Sequence, residues 1–135
     1  MTRDQLERET RRLIDEGERL IDAPTMPDLR AWIQRSDDLL IAAWGQMDRY
    51  HLAWLMVGRP KDLVRGRPMT AAEERAYVRE VAEQKTAALR MSLKAVTDGM
   101  PFLGAEVDAA TRSDPADLVD GQDEDGGAAV GDLGR

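Results

Sequence analysis

The sequence lacks cysteine and has a single histidine, His51. A disulfide framework and a thiolate metal site are therefore excluded, and no nucleophile–base constellation can be assembled from these residues. No apolar run reaches the roughly 20 residues needed to span a membrane, and the N-terminus is too charged for a secretory signal peptide. We therefore expect a non-enzymatic cytoplasmic protein that uses no metal or other cofactor.

Aromatic residues are also scarce, at 4% of the chain, and they are concentrated. All three tryptophans, one of the two tyrosines and His51 fall within residues 27–57. Apolar residues recur there at steps of three and four, which predicts one helix with an apolar face. Pro27 suits the first helical turn, Gly58 and Pro60 end the run, and Gly45 is a point where the helix could bend.

Two further helices are predicted, at about residues 3–22 and 70–99. Thr2 precedes Gln5, and Thr70 precedes Glu73, at the spacing of a capping box. The short turn at residues 23–26 folds the second helix back along the first. The third helix has an alanine-rich face suited to bulky neighbours, interrupted by Lys85, whose ammonium we expect to reach solvent. The predicted fold class is all-α, an antiparallel three-helix array with a long central helix.

The net charge of −7 belongs to the C-terminal part of the chain, because residues 1–100 sum to zero. From about residue 104 the periodicity stops and Asp and Gly dominate, which predicts a disordered acidic tail, 104–135, after a helical domain, 1–103. Residues 127–134 resemble the C-terminal peptides that load cargo into encapsulin shells. That resemblance implies a further alternative, a shell-compartment cargo protein with a C-terminal targeting peptide.

Residues 58–69 form a connection rich in glycine and proline with a net charge of +3. Within it, Arg65-Gly66-Arg67-Pro68 resembles the core of an AT-hook, a peptide that binds the minor groove of DNA. The resemblance implies a nucleic-acid-associated accessory protein. Its DNA contacts would be made by Arg59, Lys61, Arg65 and Arg67. The other interpretation is an exposed basic loop between helices.

His51 lies on the apolar face of the central helix, three residues after Asp48, a spacing that permits two ligands to one metal. A di-iron bundle, however, needs several inward carboxylates, and the other inward positions here are apolar. We therefore interpret His51 as a core histidine with one hydrogen bond. Asp48 is then its partner or a solvated residue at the rim.

The second half of the central helix, residues 44–57, extends beyond the reach of the first helix. Its large side chains would then be exposed, as at a protein interface. The predicted interface consists of Trp44, Met47, Tyr50, His51, Trp54 and Leu55. The expected partner is a second copy, with a dimer favoured, or another protein; alternatively, Leu63 and Val64 cover these residues as a lid. The predicted function is that of a scaffold, adaptor or accessory factor, such as phages and mobile elements encode.

Overall fold

The computed structural model describes residues 1–59 and 66–103, and in these ranges its regular secondary structure is entirely helical. The helices are α1 (Arg3–Asp22), α2 (Met26–Trp44), α3 (Arg49–Leu55) and α4 (Ala71–Thr97). The all-α fold class is confirmed. The predicted acidic tail, 104–135, and the central part of the basic connection, 60–65, lie outside the described residues.

Both predicted capping boxes are present. The Gln5 amide donates to Thr2 Oγ1 at 3.0 Å while the Thr2 amide donates to Gln5 Oε1 at 2.7 Å. Thr70 and Glu73 make the same pair of bonds, at 3.1 and 2.8 Å. Each box satisfies two amides that a helix start leaves without partners, which is why the sequence located the starts of α1 and α4 well.

The described residues form four helices where the sequence predicted three, because the predicted central helix 27–57 divides into α2 and α3. Gly45 adopts a φ of 100° and Met47 a φ of 65°, and both values are incompatible with continuing a right-handed helix. Asp48 then starts α3, where its carboxylate accepts from the Tyr50 amide at 3.5 Å. The chain therefore changes direction over residues 45–48.

The first and last helices run antiparallel along most of their length. Arg3 donates to the Val96 and Met100 carbonyls at 2.8 and 3.1 Å, and at the other end Arg79 donates to the Ile21 carbonyl at 3.1 Å. The α2 helix packs on this pair, and α3 packs on α2 and α4. The shared core is apolar and comprises Leu6, Leu13, Ile14, Leu20, Leu29, Trp32, Leu40, Ala43, Trp44, Trp54, Val78, Val81, Ala82, Ala88, Leu89, Ala95, Val96 and Phe102.

Candidate protein-interaction site

The turn at residues 45–48 points the large side chains of the predicted interface into the molecule. Only 8% of Trp44, 2% of His51 and 1% of Trp54 is exposed. Tyr50 and Leu55 are partly buried against the core, and Met47 alone among the six is exposed. The exposure from which the sequence predicted this interface therefore does not exist for Trp44, His51 and Trp54. The physical reason is that α3 folds back instead of extending α2.

Trp44 is covered by α4 and by the segment that follows it. Its indole N–H donates to Ser92 Oγ at 2.9 Å. Its ring lies 4.6 Å from the Tyr50 ring and 6.5 Å from the Phe102 ring, measured between centroids. Phe102 was not predicted as core, because it stands beyond the last helix and outside any periodic pattern.

His51 connects three parts of the chain. Its Nδ1 accepts from the Met47 amide at 2.9 Å, and its Nε2 lies 2.6 Å from Asp37 Oδ1. Because Nδ1 accepts, the neutral ring carries its proton on Nε2 and donates it to the Asp37 carboxylate. The histidine is buried as predicted, but it makes two hydrogen bonds instead of one, and its acidic partner is Asp37. Asp48 caps α3 instead.

Lys85 binds the C-terminal end of α3. Its Nζ donates to the Trp54 carbonyl at 2.6 Å and lies 4.1 Å from the centre of the Trp54 ring. Carbonyls in a last helical turn lack helical partners, and a cation is favoured there. Burial, together with a smaller effect of the nearby Arg59, lowers the pKa of Lys85 to about 8, while Asp37 acts in the opposite direction. The expectation that this ammonium reaches solvent is wrong, because α3 covers it.

The lowered pKa of Lys85 predicts a specific pH dependence. Between pH 8 and 10.5 the unfolded chain holds this proton while the folded protein releases it. The free energy of unfolding of the wild type should therefore rise with pH relative to Lys85→Met in this window, because the cost of burying the charge disappears. Denaturant titrations of both proteins near the two ends of the window measure the difference.

Lys94 supplies the control for this measurement. It is an exposed lysine whose pKa is raised by its hydrogen bond to Asp98. The free energy of unfolding of the wild type should therefore not rise relative to that of Lys94→Met over the same pH window. If the wild type and Lys85→Met differed in free energy of unfolding by the same amount at both ends of the pH window, the burial of a charged Lys85 would be contradicted.

The opposite side of α3 is apolar and exposed. Met47, Leu52 and Met56 are 57%, 38% and 60% exposed, and we call them the α3 outer face. They account for three of the five exposed large apolar side chains in the described ranges. Leu52 and Met56 lie one turn apart on the same side of the helix. Met47 precedes them in the turn and is the non-glycine residue with positive φ in the described part of the chain.

Leu52 and Met56 were missed at the sequence level. They are apolar residues four positions apart that fall outside the apolar arc of the predicted central helix. Two such residues on the solvent side of an amphipathic helix are a signal that could have drawn attention to this face. The concentration of aromatic residues on the other side of the same segment obscured it.

The basic residues of the 58–69 connection are only partly described. Arg59 is exposed, whereas Lys61 and Arg65 lie outside the described residues. Arg67 donates to both carboxylate oxygens of Glu73, at 2.7 and 2.8 Å. This pairing raises the pKa of Arg67, and together with the hydrogen bonds from Thr70 it lowers the pKa of Glu73 to about 2. Arg67 therefore reinforces the capping box of α4, so its guanidinium is already paired with a carboxylate.

Two further properties bear on the class of protein. Within residues 1–59 and 66–103, no helix is both long and apolar enough to cross a membrane. The chain matches no known protein family, no curated protein and no solved structure. The fold and the site together define a small all-α protein in which a short, firmly anchored helix presents apolar side chains to solvent.

Proposed function

We propose that this protein acts by binding another protein chain, as a scaffold, adaptor or accessory factor, and that the α3 outer face makes the contact. The observation that carries the proposal is the exposure of Leu52 on α3 together with that of Met47 in the turn before this helix and of Met56 at its C-cap. Clustered exposed apolar side chains mark sites of interaction. Methionine is suited to such a surface because its flexible side chain adapts to the shape of a partner.

The buried side of α3 supports the proposal, because it fixes the helix in place. A helix of seven residues is not stable by itself in water. Here His51 anchors its first turn to α2, Trp54 fills the core, and Lys85 binds its last turn from α4. A helix held on a rigid frame loses little conformational entropy when a partner binds.

The conformation of Met47 supports the same function. A left-handed backbone at a residue with a side chain costs roughly 1–2 kcal/mol. Here the bond from the Met47 amide to His51 maintains that conformation and leaves the Met47 side chain in solvent. Strain of this kind is retained where it serves a site.

The hydrogen bonds that His51 and Lys85 already make within the chain favour binding over catalysis as the function. Both ring nitrogens of His51 are paired within the chain, and the Lys85 ammonium binds a backbone carbonyl beneath α3. A general base or nucleophile would instead need to reach a substrate. These groups serve the anchoring of α3.

A photocrosslinking experiment in the cells that make the protein tests the proposal. The photoreactive residue p-benzoylphenylalanine is placed at position 52 or 56, and at position 12 as the control, since Arg12 is exposed on α1. We expect protein adducts from positions 52 and 56 that are absent at position 12. Adducts from position 56 should disappear when Leu52→Glu is added. Equal adduct yields from all three positions would refute the proposed function.

A further inference from the structure

The turn between α2 and α3 is held by a hydrogen bond that exists in only one protonation state of His51. The Met47 amide donates to Nδ1 of this ring at 2.9 Å, so Nδ1 must keep its lone pair free to accept. In a protonated ring both nitrogens are donors, and Nδ1 would then point a proton at the Met47 amide. Histidine ordinarily changes its charge between about pH 5 and pH 8. A proton on Nδ1 therefore breaks the bond that holds this turn.

The same bond opposes backbone strain at Met47. The φ of 65° lies in the left-handed region, which a residue with a side chain occupies at a cost similar to the stabilisation from one hydrogen bond. The present conformation of the turn is thus close in free energy to one in which Met47 returns to a negative φ. Loss of the bond to His51 shifts that balance toward the second conformation. A two-state element biased by one buried histidine is the physical basis of a pH-sensitive switch.

The groups packed against His51 allow the ring to carry a second proton. From α2, the Asp37 carboxylate lies 2.6 Å from Nε2 and pairs with an imidazolium as well as with the neutral ring. From α4, the Lys85 ammonium lies against the Trp54 ring on which His51 is stacked, and it opposes a second positive charge there. Asp37 is the charged group in direct contact with the ring.

The other charges near the ring are exposed, and solvent has access to both of its nitrogens. Asp48 and Arg49 stand at the start of α3 and Arg59 follows its end, all three in solvent, where their fields are screened. Met47, beside Nδ1, is 57% exposed, and the Asp37 side chain, beside Nε2, is 30% exposed. A proton can therefore reach the ring without unfolding of the core.

We propose that protonation of His51 switches the turn at residues 45–48 to a second conformation, in which the ring stays paired with Asp37 and Met47 leaves the left-handed region. The packing of α1, α2 and α4 is retained, because their shared apolar core does not involve this bond. The Met47 side chain belongs to the α3 outer face, so mild acid changes that face. The switch is a property of the chain without a partner, and it stands or fails separately from the proposed function.

NMR spectroscopy of the isotope-labelled full chain, from about pH 8 to about pH 5, tests the switch. The ring nitrogens report the protonation of His51 directly, since the chain has one histidine. A strong NOE between the amide and Hα protons of Met47 marks its positive φ. We expect this NOE to weaken at the same midpoint pH as the ring titration, while the amide signals of α1 and α4 keep their positions. A ring that becomes protonated while Met47 is unchanged, or one that stays neutral throughout, would overturn the switch.

Substitutions at position 47 test the contribution of backbone strain. Met47→Gly removes the cost of the left-handed conformation, so it should lower the midpoint pH of the ring titration by about one unit. Met47→Ala removes the side chain beyond Cβ but keeps that cost, so its midpoint should remain at the wild-type value. Equal midpoints for the two variants would contradict the proposal.

Two further variants assign the transition to its residues. His51→Asn places an oxygen acceptor that does not titrate near the position of Nδ1, so the Met47 NOE should not depend on pH in this range. Asp37→Asn can still accept from Nε2 but offers an imidazolium no opposite charge, so the midpoint pH should fall. A Met47 transition that persists in His51→Asn, or a midpoint that Asp37→Asn leaves unchanged or raises, would overturn the proposal.

Discussion

Replacing Trp54 with alanine is expected to lower the free energy of unfolding by about 3–5 kcal/mol, the usual cost of deleting a fully buried large aromatic side chain. The indole is enclosed by α2, α3 and α4, with the His51 ring stacked at 6.2 Å and the Lys85 ammonium at 4.1 Å from its centre. Its removal leaves a cavity and also deprives Lys85 of the ring on which it rests. Chemical denaturation of a dilute sample measures the loss.

The matched control is Met56→Ala, two residues further along the same segment. Met56 is exposed, so this substitution should change stability by no more than about 0.5 kcal/mol. Trp54→Ala should thus destabilise the fold, whereas Met56→Ala should weaken the binding of a partner at the α3 outer face. The reverse outcome, a stable monomeric Trp54→Ala, would place the indole at an interface and contradict the structure.

Replacing Gly17 with alanine is expected to lower the free energy of unfolding by about 1–3 kcal/mol, as overpacking a core does. A Cβ atom at this position of α1 would overlap Thr86 Oγ1 and would lie 2.8 Å from Trp32 Cζ2. Both neighbours are fully buried, and Trp32 is fixed further by its 2.7 Å hydrogen bond to the Leu13 carbonyl. Neither can move away without disturbing the contact between α1, α2 and α4.

Helix propensity makes the opposite prediction for this substitution. In a helix whose residue 17 faced solvent, glycine to alanine would stabilise by about 1 kcal/mol. The sign of the measured change therefore decides whether α1 approaches α4 as closely as described. Adding Thr86→Ala removes the nearer of the two clashing atoms, so the double variant should recover part of the loss. A stabilising Gly17→Ala would contradict the packing of α1 on α4.

The parts of the fold that follow from local chemistry could be predicted. The capping boxes at Thr2 and Thr70 fix the starts of α1 and α4, and the apolar stripes give the helices their inward faces. The division of the central helix could not be placed by periodicity, because apolar steps of three and four continue across it. The signals were chemical, namely Gly45, which tolerates a positive φ, and Asp48, a good N-cap residue three positions later.

The candidate site depended on that division. A continuous helix 27–57 would leave its second half without cover, which predicts an aromatic interface. Turning the chain at residues 45–48 carries Trp44, His51 and Trp54 into the core, while Leu52 and Met56 remain on the solvent side. One four-residue turn thus removes the exposure from which the aromatic interface was predicted. The partnership of His51 with Asp37 follows from this tertiary arrangement, since fourteen positions separate them.

The central claim is that the chain buries its own tryptophans and leaves Met47 and Met56, on either side of α3, exposed. Quenching of tryptophan fluorescence by acrylamide, in a sample dilute enough to be monomeric, tests it most directly. Trp32, Trp44 and Trp54 are all buried, so we expect uniformly weak quenching that does not depend on protein concentration. Strong quenching of two of the three tryptophans, with protection only at high concentration, would contradict the account.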